Sequence, residues 1–119
     1  MVAISLFFPF YIQFKNSLDI VSKALRKGSV TPILECVLID ASKNIISLTC
    51  QDGREITIKK DTKGIIKESG IAAIEGQILI DILRNMPDES DIELSVNEKK
   101  ECLLTCGPDI KKEFLAKDY

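Results

Sequence analysis

Two pairs of carboxylates and four cysteines hold the spacings that catalysis or metal binding would use in this 119-residue chain. Asp52 with Glu55, and Asp88 with Asp91, stand close enough in sequence to form an acid and base couple. Such a couple needs environments that push the two pKa values apart. The chain contains no histidine, which removes the commonest general base and the commonest metal ligand. No glycine-rich phosphate loop and no nucleophile beside a base is present. Asp52 precedes Gly53 and Asp88 follows Pro87, the surroundings of turn-forming aspartates. Cys36, Cys50, Cys102 and Cys106 include no Cys-x-x-Cys pair. Cys102 and Cys106 fall on one face of a strand, four residues or ~13 Å apart, too far for a bridge. All four read as buried thiols in a reducing cytosol. The residues predict no catalytic site, no metal and no cofactor.

A second chemistry is electrostatic. The net charge of −2 excludes a generally basic nucleic-acid binder, but the charge is unevenly spread. Ile12 to Gly28 carries Lys15, Lys23, Arg26 and Lys27 against Asp19, a local +3. Glu75 to Asp91 carries Arg84 against five carboxylates, a local −4. An acidic body with one basic stripe can steer a polyanion to one side. The same residues also fit ordinary solvated faces, with Asp19 pairing Lys15 and Lys23 at four-residue spacing.

The elements that must carry these groups are legible in the hydrophobic pattern. Met1 to Phe14 is almost wholly apolar, too short for a membrane span and without the basic start of a signal peptide. It predicts a first strand, at a sheet edge or bulged, because Pro9 cannot donate to a ladder. Phe14, Leu18, Val21 and Leu25 recur at steps of four, three and four, predicting a helix over about 12–27. Gly28 stops it, and Pro32 extends Thr31 into the next strand. Strands are expected at about 33–40, 45–50 and 54–60, with turns at 42–44 and Asp52-Gly53. Residues 59–67 are polar and read as a loop around a short strand at Ile65-Ile66. A strand at about 70–75 leads to a second helix whose apolar stripe is Ile78, Leu79, Ile82, Leu83 and Met86, ended by Pro87. Strands at about 91–96 and 101–106 follow, and the tail has room for one more. The order strand, helix, strands occurs twice, as expected of an α+β domain spanning 1–119 with two helices packed on one side of a curved antiparallel sheet.

Five segments carry a family resemblance. They are Val21-Ser22-Lys23-Ala24, Thr31-Pro32-Ile33-Leu34, Leu48-Thr49-Cys50-Gln51-Asp52, the run Ile80 to Asp88, and Asp118-Tyr119. In this order and near this spacing, the chain resembles the amino-terminal domain of the bacterial DNA polymerase III beta subunit, the sliding clamp. The resemblance implies a DNA-clamp fold and a non-catalytic, cytoplasmic role in replication. In that family, three such domains per subunit and two subunits close a ring. Helices line the hole and strands form the wall. Basic side chains meet the phosphates of double-stranded DNA without reading sequence. The matching positions are Lys23, Arg26 and Lys27; Lys15, on the same helical face, extends the set beyond the motif.

Four departures accompany the resemblance. The amino terminus is longer and more apolar, an extra residue near Asp52-Gly53 implies a bulge, and the stretch 106–119 is shorter. The family's ring-interface strand is represented by Ile110-Lys111-Lys112-Glu113-Phe114. The chain also ends after one domain, whereas DNA polymerase III and the clamp loader are bound through others. Besides a clamp domain, two readings remain open: a stand-alone clamp-like protein acting as an interaction module for a clamp subunit, and a small enzyme using the carboxylate pairs.

Overall fold

In the computed structural model, residues 3–9, 11–25, 35–52, 56–86, 91–107 and 110–117 are described. Strand β1 (Ile4–Phe8) ends just before Pro9, and helix α1 (Tyr11–Val21) begins two residues after it. β2 (Cys36–Asp40), β3 (Ile46–Gln51), β4 (Thr57–Thr62), β5 (Ile65–Glu68) and β6 (Ile71–Glu75) follow. Helix α2 (Gly76–Arg84) then leads to β7 (Ile92–Val96), β8 (Glu101–Cys106) and β9 (Ile110–Leu115).

The expected sheet is divided in two. One is five-stranded in the order β5-β1-β7-β8-β9, the other four-stranded in the order β4-β3-β2-β6, and every pairing is antiparallel. Alternation places Ile4, Leu6, Phe8, Ile92, Leu94, Val96, Cys102 and Leu104 in the core from the first sheet. Val37, Ile39, Ile46, Leu48, Cys50, Ala72 and Ile74 enter it from the second. The helices add Phe14, Leu18 and Val21 from α1, and Leu79 and Leu83 from α2. One hydrophobic layer is thus shared by both sheets and both helices.

Three expectations are corrected. β1 is not an edge strand: β5 and β7 flank it, because Pro9 falls after the last ladder position. The register on the β5 side shifts between Ser5 and Leu6, three residues before Pro9. Residues 59–67 are largely strand, polar because β4 and β5 are sheet edges with wet faces. The α-helical part of α1 stops at Val21, six residues short of Lys27, and passes into one 3₁₀ turn, Ser22–Ala24. Ser22 Oγ donates to the Asp19 carbonyl (2.9 Å), a local bond that competes with helical continuation. Leu25 is then extended, with φ −63° and ψ 136°. The bulge expected at Gly53 lies outside the described residues.

The β7–β8 connection shows how polar side chains set a turn. Asn97 Oδ1 accepts from the amides of Lys99 (2.9 Å) and Glu101 (3.0 Å), and Lys100 takes φ +63°. A lysine in that left-handed region costs about 1 kcal/mol relative to glycine.

An aromatic pair joins the first strand to the first helix. Phe8 and Phe14 stack with centroids 4.2 Å apart and planes 13° from parallel. A Cβ on Gly64 would come within 2.9 Å of the Phe8 ring and 2.8 Å of Ile46 Cδ1. The ring cannot yield, because Phe14 backs it and both side chains are fully buried. Gly64→Ala is therefore expected to destabilise the fold by ~1–3 kcal/mol, and Phe8→Ala by ~3–5 kcal/mol. Urea unfolding midpoints measure both; an unchanged midpoint for Gly64→Ala would show that the ring moves freely.

Candidate nucleic-acid interface

The two helices present their free faces on the same side of the molecule as the core faces of the sheets. α1 turns Phe14, Ser17, Leu18 and Val21 inward. Ile12, Asn16, Asp19, Ile20 and Lys23 are left exposed, with Lys15 half-buried. Leu25 reaches α2, where a Cβ on Gly76 would collide with Leu25 Cδ1. Glycine at the first position of α2 allows this close approach of the two helices.

The charges on the helices are not equally committed. Asp81 is the hub of α2. Gln77 Nε2 donates to its Oδ1 (2.8 Å), Arg84 Nη1 lies 4.0 Å from the same oxygen, and Asn85 Nδ2 donates to its carbonyl (3.2 Å). Arg84 is thereby engaged within its own helix. On α1, Asp19 forms no ion pair with Lys15 or Lys23: the ion pairs among the described residues are Lys67–Glu93 and Arg84–Asp81. Lys23 lies in the last turn of its helix, where a cation also complements the helix dipole. Lys15 is thus half-buried on α1 and Lys23 exposed in the 3₁₀ turn that follows it. Arg26 and Lys27 lie outside the described residues.

Two further cations, missed in the sequence, share this side. In the β3–β4 register Lys60 opposes the buried Leu48, so its stem starts on the core face, and β4 packs along α1. In the β8–β9 register Lys112 opposes the buried Leu104. Lys112 also lines an open hollow of about 470 Å³ with Asp81, Ile82, Asn85, Met86 and Ile110. The doublets Lys59-Lys60 and Lys111-Lys112 were visible in the sequence, but which lysine faces the helices depends on pairing register.

Of the two carboxylate pairs, Asp52 and Asp91 are described. Asp52 Oδ1 accepts from the Ile56 amide (3.1 Å) while the Asp52 amide donates to the Ile56 carbonyl (3.0 Å), the work of a turn residue. Glu55 and Asp88 lie outside the described residues. No group of three or more metal-ligating side chains occurs among the described residues. All four cysteines are free and buried. Burial pushes the Cys50 thiol up to about 12, with nearby Cys36 adding to the shift, and the Cys102 thiol up to about 11. Cys36 is raised by burial first and then by Glu75. Thiols held protonated in this way are poor nucleophiles.

Comparison with known proteins agrees with this geometry. The sequence profile of the DNA polymerase III beta subunit, N-terminal domain, matches residues 10–116. The chain belongs to that family, the amino-terminal domains of bacterial sliding clamps. It is 39% identical over 93 residues to the beta sliding clamp of Buchnera aphidicola subsp. Acyrthosiphon pisum, covering 75% of this chain and 24% of that protein. The beta sliding clamp of Buchnera aphidicola subsp. Rhopalosiphum padi is 33% identical over 86 residues, covering 71% of this chain and 23% of that one. Among solved structures, the sliding clamp of Bartonella birtlesii bound to griselimycin superposes with a TM-score of 0.87 at 26% identity, over 96% of this chain and 30% of that one. The Thermotoga maritima beta subunit gives 0.85 at 22% identity, over 97% and 30%. The chain spans about a quarter of the length of the curated relatives it matches. No described helix is long and apolar enough to cross a membrane.

The thiols yield a pH prediction. A folded-state thiol pKa above the unfolded one means the native state holds its proton longer, so stability falls as pH rises above ~9, where unfolded thiols ionise. Between pH 7.5 and 8.5, Cys50 and Cys102 should react with a disulfide reagent only at the rate of global unfolding. Fast labelling of either in the native protein would place it at the surface.

Proposed function

We propose that this chain supplies one wall segment of a DNA sliding clamp, which tethers a DNA polymerase III to double-stranded DNA. The observation that carries this is the helix side of the molecule. α1 and the 3₁₀ turn after it offer Lys15 and Lys23, which form no ion pair among the described residues, beside a platform of two sheets. Mobile ammonium groups on such a platform attract phosphates and carry no base-reading geometry. Arg26 and Lys27, which match the family's basic positions before the Thr31-Pro32 turn, complete the proposed track. The role is non-catalytic: the chemistry belongs to the polymerase, and the clamp contributes enclosure.

In this reading β9 and β4, two of the four strands at sheet ends, are the edges through which neighbouring domains would continue the sheets. Lys111, Lys112 and Glu113 on β9 would discourage promiscuous pairing of that edge. Homodimeric ring closure, polymerase binding and clamp-loader binding would use additional domains of the assembly. A single domain cannot enclose DNA, so its own affinity should be low and governed by salt.

Arg26→Gln with Lys27→Gln is expected to weaken binding of a short duplex by ~10-fold or more at 50 mM salt and to lower the slope of log K against log salt by ~2. Fluorescence anisotropy of a labelled duplex measures this. Unchanged affinity and slope would remove these two residues from the track.

A further inference from the structure

We infer that Lys60 and Lys112 are a symmetric pair of phosphate contacts that widen the DNA track from the helices onto the edge strands. This rests on the clamp reading above. The basis is an internal repeat: β1-α1-β2-β3-β4 is echoed by β6-α2-β7-β8-β9. In the first half Cys50 opposes Ile58, Leu48 opposes Lys60 and Ile46 opposes Thr62. In the second, Cys106 opposes Ile110, Leu104 opposes Lys112 and Cys102 opposes Phe114. The two lysines occupy the same place in each half: the outermost strand, its core-facing row, opposite a fully buried leucine.

An edge-strand residue on the core face must run its apolar stem across the margin of the core before its head meets water. Its ammonium group is thereby delivered beside a helix, not to the outer wall. Lys112 does this beside α2, in the hollow it shares with Asp81 and Asn85. Lys60 does it on the strand packed along α1. Among the described residues neither forms an ion pair, while the exposed Arg84 of α2 lies 4.0 Å from Asp81. On the helices and the core faces of β4 and β9, the basic side chains are Lys15, Lys23, Lys60, Arg84 and Lys112, against the carboxylates Asp19 and Asp81. These five cations against two carboxylates contrast with the −2 of the whole chain. Two cations at equivalent edges bracket the helices and would contact phosphates on either side of those met by α1. The polyanion fitting a broad, flat, non-reading track is duplex backbone.

The fold supplies its own control. Lys59 and Lys111 sit one residue away, opposite Thr49 and Thr105, and point to the other face of each sheet. Replacing both by Gln changes net charge identically to replacing Lys60 and Lys112. Binding of a 20-base-pair duplex to the full chain would be followed by anisotropy across a salt series, with Lys15→Gln/Lys23→Gln as a third variant. The Lys60→Gln/Lys112→Gln protein should lose ~2 from the salt slope, and the Lys59→Gln/Lys111→Gln protein almost none. Equal losses in these two pairs, or no loss in the first, overturns the inference. If Lys15→Gln/Lys23→Gln still lowers the slope in that case, the helix track stands without its edges. Absence of salt-dependent binding by the unaltered chain overturns both.

Discussion

The Phe8–Phe14 stack holds together parts that would otherwise be separate. Phe8 is the last residue of β1 in the five-stranded sheet, and Phe14 lies in the first turns of the helix that packs on the four-stranded sheet. Their contact at 4.2 Å, closed on one side by Ile46 and by the bare backbone of Gly64, fixes α1 between the two sheets. Pro9 between them ends the ladder and turns the chain without needing an amide partner. Every property proposed for the helix side depends on this anchor. If α1 rotated, Lys15 and Lys23 would no longer share a platform with the edge strands.

The second constraint is duplication. Two halves of similar order meet around one hydrophobic layer, and each brings an edge strand whose core-facing row ends in water. Charge is then sorted by geometry. Side chains on the outer faces include both signs, as in the Lys67–Glu93 pair on the five-stranded sheet and Lys59 with Asp61 along β4 on the other. On the helix side the acidic groups are fewer, and Asp81 is engaged within α2. The opposite biases of the two halves in sequence, basic around α1 and acidic around α2, therefore overstate the contrast that the folded helices present.

Much of this was legible from the residues. The stripe of α1, the alternation of β2, β3, β7 and β8, the turn role of Asp52 and the burial of all four thiols follow from periodicity and local chemistry. The end of α1 was not legible, since Leu25 continues the helical spacing while the Ser22 hydroxyl and the approach to Gly76 decide against it. The start of β4 and the Ile65-Ile66 core of β5 were legible, but the end of β4 at Lys59–Thr62 looked like a loop because an edge strand carrying Lys59, Lys60 and Asp61 lacks the apolar alternation that identifies a buried one. β1 looked like an edge because Pro9 stands inside an apolar run, and only the structure shows that the run is divided there. Lys60 and Lys112 were invisible as a pair: a one-residue change of register would exchange them with Lys59 and Lys111.

The proposed role needs a shaped wall with a basic helix side and no chemical site. The most direct test replaces the amino-terminal domain of a complete clamp with this chain. Mass is checked by light scattering, and product length is then measured in primer extension on circular DNA. A ring of the parental mass supporting products of parental length is the expected result. A ring of that mass whose products shrink to those made without a clamp would contradict the claim.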